Sequence, residues 1–134
     1  MPKQHINPDT LMKLPSYSQV VVTSGGRTVY IAGQGAFDTG MQLVGANDYY
    51  AQTVKALQNL AAALEAAGAR VTDVVSSTMY VKNLGPEALE QFGRALNDAL
   101  GGTPFPPNAS TLVGVQSLAY PEMLVEISAV AVVD

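Results

Sequence analysis

From Asn47 to Gly68 the apolar residues recur at a helical period, and this stretch limits the fold more than any other part of the 134-residue chain. Val54, Leu57, Ala61 and Leu64 fall on one side of a helix, flanked by Leu60 and Ala67, while Gln52, Lys55 and Asn59 fall largely away from it. Asn47 or Asp48 supplies an N-cap, and Gly68 is placed to end the helix as its C′ residue. A helix with one apolar stripe must bury it, and β-branched runs lie on either side in sequence to receive it.

Gln19-Val20-Val21-Val22-Thr23 and Thr28-Val29-Tyr30-Ile31-Ala32-Gly33 flank Ser24-Gly25-Gly26-Arg27, which predicts a hairpin. Gly33, Gly35 and Gly40 break regular structure, so residues 34–44 read as loop with at most a short strand. Asp73 to Lys82 alternates with Val75, Met79 and Val81 on one face, the mark of a strand. Pro86 and Glu87 open a second helix, Leu89, Phe92 and Leu96 continue its apolar side, and Gly101-Gly102 ends it. After Pro104-Phe105-Pro106-Pro107 come strands at about residues 110–115 and 124–133. The order β-β-(loop)-α-β-α-β-β predicts an α+β or mixed sheet with both helices on one face.

That arrangement leaves the other sheet face to be covered. Composition supports the same need: 48% of residues are apolar and only 13% are charged, a low charged fraction for a small monomer. Packing against identical subunits is the simplest cover, and one domain over residues 1–134 accommodates the whole pattern. A net charge of −4 with seven scattered Lys and Arg offers no basic stripe for phosphates, which argues against a nucleic-acid partner. No apolar run reaches the ~18 residues of a membrane span, and Met1-Pro2-Lys3-Gln4-His5 opens a polar segment without a signal-peptide core. A cytoplasmic protein is the expectation.

The absence of cysteine removes disulfides, thiolate catalysis and thiolate metal sites together. His5, the only histidine, supports no triad or metal cluster, and without a partner base no serine stands out as a nucleophile. No metal or cofactor is expected. Gly25-Gly26 and Gly33-Gln34-Gly35 lack the spacing and following Lys-Ser/Thr of a phosphate loop, and turn geometry accounts for them. Tyr17, Tyr49, Tyr50 and Tyr120 each suit either a ligand pocket or the edge of a core.

Glu126 is the most informative polar residue, because it interrupts the apolar run Met123-Leu124-Val125-Glu126-Ile127-Ser128-Ala129-Val130-Ala131-Val132. A carboxylate there must be paired, solvated in a cleft, or raised in pKa. Two readings stay open: a general acid/base or water-holding group, and a strand glutamate facing solvent or bonded to a loop amide.

Four segments, in this order, resemble the Rid (reactive-intermediate deaminase, YjgF-like, endoribonuclease L-PSP) family. They are Tyr17-Ser18-Gln19; Val29-Tyr30-Ile31-Ala32-Gly33-Gln34; the helix from Gln52-Thr53 through Leu57, Asn59 and Leu60 to Leu64-Glu65-Ala66-Ala67-Gly68-Ala69, running on to Asp73-Val74-Val75; and Val125-Glu126-Ile127-Ser128-Ala129-Val130-Ala131. The resemblance implies a chorismate-mutase-like α+β fold of the bacillus type, a mixed six-stranded sheet with two helices on one face. It implies a homotrimer with an inner β-barrel and three ligand clefts, each between two subunits. In active members the substrate is an enamine or imine released by pyridoxal-phosphate enzymes, such as 2-aminoacrylate, hydrolysed to a 2-keto acid and ammonia.

By position, the family's water-holding glutamate is Glu126, its cleft tyrosine is Tyr17, and its ligand-approaching glycine is Gly33. Thr111 falls where a small polar or thiol residue lines the cleft. The substrate-clamping arginine does not carry over, because Ala109-Ser110-Thr111 stands where Arg-Ser-Thr is the pattern. Ala32 replaces a common serine, and Phe92 falls where an asparagine is expected in the second helix. Losing a bidentate carboxylate clamp in a partly desolvated site costs about 2–4 kcal/mol, roughly 10²–10³-fold in rate for an anionic substrate. Arg27 and Arg94 are the candidates to replace that charge. The resemblance therefore implies a small-metabolite cleft that hydrolyses an imine, enamine or related C–N bond outside ordinary 2-iminoacid deamination, or alternatively a non-catalytic binding or regulatory trimer.

Overall fold

The structure, a computed structural model, describes residues 3–134. In chain order its elements are β1 (Lys3–Ile6), β2 (Val20–Thr23), β3 (Arg27–Gln34), α1 (Tyr49–Ala66), β4 (Val74–Lys82), α2 (Pro86–Asp98), β5 (Ala109–Val115) and β6 (Val125–Val133), with a 3₁₀ turn at Val71–Asp73. The helical stretch forms as its periodicity requires. Asp48 is the N-cap, its carboxylate accepting from the Ala51 N–H at 2.9 Å. Gly68 takes a φ of +76°, and the amides of Gly68 and Ala69 return to the Glu65 and Leu64 carbonyls at 3.0 and 2.9 Å. These two bonds make a Schellman end, in which glycine avoids the steric cost of a left-handed residue.

Four strands form a mixed sheet in the order β3-β6-β4-β5, antiparallel except for the β4–β5 pair that α2 connects. Both helices pack on one face of it. Leu57, Leu60 and Leu64 of α1 and Phe92 of α2, none more than 1% exposed, close on Met79 and Val81 of β4 and on Val125 and Ile127 of β6. Each such burial is worth about 1.5–3 kcal/mol relative to exposure. Along β6 the residues alternate, so that Glu126, Ser128 and Val130 point to the face without helices.

Four expectations need correction. The six strands do not make one sheet: β1 and β2 pair only with each other, from Lys3 opposite Thr23 to Ile6 opposite Val20. The hairpin between β2 and β3 is accordingly absent, although Gly25 and Gly26 do turn the chain with φ of 71° and 75°. Polar bonds hold β2 to the N-terminal segment instead, with the Gln19 amide donating to Asn7 Oδ1 at 2.8 Å and His5 Nδ1 lying 2.7 Å from Ser18 Oγ. In β4 a register shift between Val74 and Ser76 brings Val74 to the core in place of Val75. Finally, Gln52 and Asn59 do not face away from the sheet; Gln52 is fully buried, and both bond to loops beside the sheet.

Candidate functional site

The β3–β6 ladder contains a bulge. Ile31 stands opposite Ala129 and Gln34 opposite Ile127, so Ala32 and Gly33 together oppose the single residue Ser128. An extra residue of this kind bends a strand and re-aims what it carries. Here it brings the bare Cα of Gly33 against Glu126: a Cβ added to Gly33 would lie 2.7 Å from Glu126 Cδ and 2.9 Å from its Cγ. The carboxylate is half-buried and takes no hydrogen bond or ion pair from any described residue.

Across the next ladder Tyr80 pairs directly with Glu126, which places a phenol beside the carboxylate on the open face. Lys82, two residues on from Tyr80, shares that face, and its Nζ donates to the Pro121 carbonyl at 2.8 Å. Neither residue stood out in the sequence, since strand parity about Glu126 is known only once the register is.

Helix α1 holds both chain segments that meet at this corner. Gln52 accepts from the Leu124 N–H at 2.8 Å and donates to the Glu122 and Gly45 carbonyls at 3.1 Å each, fixing the entry to β6. Asn59 donates to the Gly35 and Phe37 carbonyls, both at 2.9 Å, fixing the exit from β3. The seven-residue spacing of these amides, two helical turns, was the available signal that they share a face.

Ala109 and Thr111 also point to the open face, in rows with Ser76 and Val130 and with Thr78 and Ser128 respectively. They are not beside Glu126 within one chain. β5 lies two strand spacings from β6, about 10 Å, and the Ala109 row is displaced along β6 by four residues, roughly 13 Å. Tyr17 belongs to the β5 end. The Ser18 N–H donates to the Asn108 carbonyl at 2.9 Å, while the Asn108 side chain, 1% exposed, accepts from Ser77 Oγ at 2.7 Å and donates to the Pro106 carbonyl at 2.9 Å. One buried asparagine, through its backbone carbonyl and its side chain, thus ties together the residues next to Tyr17 and Ala109.

Neither arginine candidate replaces the missing charge within the chain. Arg94 lies 4.3 Å from the centre of the Tyr50 ring and 3.4 Å from Glu90, and Arg27 lies at the opposite end of β3 from Gly33, beside Gly68. Of the other tyrosines, Tyr49 donates to the Lys82 carbonyl at 2.7 Å, and Tyr120 packs edge-on against Phe37. Tyr50 donates to Asp98 at 2.8 Å, and that hydrogen bond raises its hydroxyl above the ordinary tyrosine pKa. A histidine–serine pair does exist, contrary to the sequence reading. Ser18 is only 3% exposed, however, which leaves a substrate no approach to its Oγ. Among the described residues there is no cluster of metal-ligating side chains, and no helix is long and apolar enough to cross a membrane.

The chain matches the sequence pattern of the endoribonuclease L-PSP family over residues 9–133. The crystal structure of YyfB, a Rid family protein from Yersinia pestis, is 39% identical, covers 99% of this chain and 100% of its own, and superposes with a TM-score of 0.87. RidA from an Antarctic Psychrobacter is 29% identical with a TM-score of 0.68, over 97% of this chain and 99% of its own. Protein DfrA of Myxococcus xanthus is 32% identical across 98% of this chain and 97% of its own length. With the mixed sheet and the two helices on one face, this match places the chain in the Rid, or YjgF-like endoribonuclease L-PSP, family.

Proposed function

We propose that the chain assembles as a homotrimer whose clefts each join the Gly33–Glu126 corner of one protomer to the Tyr17, Ala109 and Thr111 end of β5 in the next. Each cleft binds a small metabolite. The separation of the two groups within one chain supports a shared site, as do the unpaired edges of β3 and β5 and the open face, where Tyr30 is 79% exposed. The observation that carries the reading is the unbonded Glu126 carboxylate seated on Gly33.

A carboxylate so placed can hold a water against an electrophilic carbon. Water adds to the carbon of a protonated C=N bond as Glu126 takes a proton from that water, which leaves a neutral carbinolamine. Glu126 then returns that proton to the nitrogen, the C–N bond breaks, and the hydroxyl proton leaves with the departing ammonia as ammonium, so that a carbonyl compound remains. Within the chain the Ala109 row offers only Ser76, Val130 and Tyr30, with no cation, so 2-iminoacids lose the clamp that would favour them. The reaction proposed is hydrolysis of a less charged imine, enamine or related C–N bond. RNA cleavage is not proposed, because the −4 net charge and seven scattered cations give phosphates no track.

The test follows ammonia release from a panel of freshly generated imines. Glu126→Gln should lower the rate about 10²-fold or more, and an unchanged rate removes that residue's role. Light scattering should give three chains per particle; a monomer removes the cleft. The lack of a cation beside Ala109 also favours a second reading, a binding or regulatory trimer without turnover. That reading expects ligand-dependent thermal stabilisation and no ammonia from any imine.

A further inference from the structure

Gly93 sits inside α2, where glycine is the poorest helix former apart from proline. Nothing in the fold requires it there. Its φ is not positive, and a Cβ built on it meets no atom within 4 Å. What lies over Gly93 is a groove of about 1010 Å³ between α2 and β5. Leu89, Phe92 and Leu96 form its helix wall, Leu112 and Phe105 the opposite wall, and Tyr17 stands at its rim; no charged residue lines it. Any side chain at position 93 would enter this space.

The dimensions and lining match a small-molecule site, since such sites run to about 1,000 Å³ and are mostly apolar with a few polar groups. Two such groups are present. The Tyr17 hydroxyl accepts from Gln19 Nε2 at 2.9 Å, and its own proton goes to no described residue. Ser110, which also lines the groove, has an uncommitted hydroxyl. With no cation in the lining, an anionic ligand would leave its hydration without a compensating partner.

We propose that the groove between α2 and β5 binds an uncharged small molecule with an apolar, ring-sized body and a hydrogen-bond acceptor at the Tyr17 end. The proposal rests on the preceding reading only in treating Tyr17 as part of the ligand site. It uses neither Glu126 nor C–N hydrolysis.

The probe is 6-propionyl-2-(dimethylamino)naphthalene, an uncharged fluorescent ketone whose emission shifts to the blue in apolar surroundings, titrated into the intact protein. Saturable binding at one site per chain is expected, with the anionic dye 8-anilinonaphthalene-1-sulfonate at least about tenfold weaker. Gly93→Leu projects a side chain into the groove from a position whose Cβ meets no atom, and should weaken the ketone about tenfold or more. Its circular dichroism and melting temperature should hold, because leucine is the better helix former. Tyr17→Phe should weaken the ketone about two- to tenfold by removing one hydrogen bond. Ketone binding untouched by Gly93→Leu overturns the proposal, as does equal affinity for the sulfonate. A parent protein that leaves the ketone unbound, together with a Gly93→Leu variant of lower oligomer mass, also overturns it by assigning the groove to a second copy of the chain. Ketone binding without ammonia release removes the hydrolytic reading alone; ammonia release without ketone binding removes this one alone.

Discussion

The Glu126 carboxylate rests on the Cα of Gly33, and a methyl group at position 33 would stand 2.7 Å from Glu126 Cδ. The φ of Gly33 is not positive, so its side-chain volume, not its backbone, is what the structure excludes. Gly33→Ala should therefore destabilise the protein by about 1–3 kcal/mol as the glutamate is pushed aside. In a Glu126→Ala background most of that cost should vanish. A double-mutant cycle by urea unfolding measures the coupling. Additive effects would show that the two residues do not constrain each other.

Gln52 is the second point on which the site depends, because its fully buried side chain accepts from the Leu124 N–H at 2.8 Å and donates to the Glu122 and Gly45 carbonyls. Gln52→Leu keeps a similar volume and leaves the part-buried Leu124 N–H and Glu122 carbonyl without that partner, which should cost about 1–3 kcal/mol. Asn59→Ala, whose site is less buried, should cost about 1–2 kcal/mol. Hydrogen exchange should show the loss locally, at residues 122–126 for Gln52→Leu and at 35–37 for Asn59→Ala. A loss spread evenly over the sheet would assign both amides to general stability.

Gly93→Ala should raise stability by about 0.5–1 kcal/mol, since alanine loses less backbone entropy in a helix and its methyl enters open space. The urea midpoint should rise with an unchanged slope. A fall in stability would reveal a neighbour packed on Gly93 in the assembled protein.

Both helices and the strands from β2 onward were readable because each rests on local pattern, whereas β1 lies in a polar segment that carried no strand signal. Asp48 caps α1, Gly68 ends it, and the strand bounds lie within a residue or so of the alternating runs. What escaped was set by register and by polar tertiary bonds. β2 has the composition to pair with β3 across Gly25-Gly26, yet Asn7 and His5 draw it to β1. Gln52 looked like surface because an amide has no apolar signature, and only the positions of Leu124 and Glu122 explain its burial. Glu126 was visible as an interruption in an apolar run. The glycine that makes room for it became recognisable as its partner only through the bulge, since Gly33 and Glu126 lie 93 positions apart in sequence.

Ala109 is where recognition of an anionic substrate can be tested directly. Its open-face neighbours in the same chain, Ser76 and Val130, are small and uncharged, so an arginine introduced there meets no cation or carboxylate along its own row. The buried Asn108 before it stays bonded to Ser77 and Pro106, which keeps the entry to β5 in place. If the rest of the cleft is competent, Ala109→Arg should raise hydrolysis of 2-aminoacrylate by about 10²–10³-fold, the inverse of losing a bidentate clamp. The gain should appear mainly with substrates bearing a carboxylate and should disappear in the Ala109→Arg, Glu126→Gln double variant. An arginine that improves carboxylate binding without any turnover would separate the two halves of the cleft, leaving Tyr17 and β5 as a binding surface and Glu126 without a hydrolytic role. An arginine that changes neither would mean that Ala109 does not face the ligand, and the shared cleft would have to be abandoned.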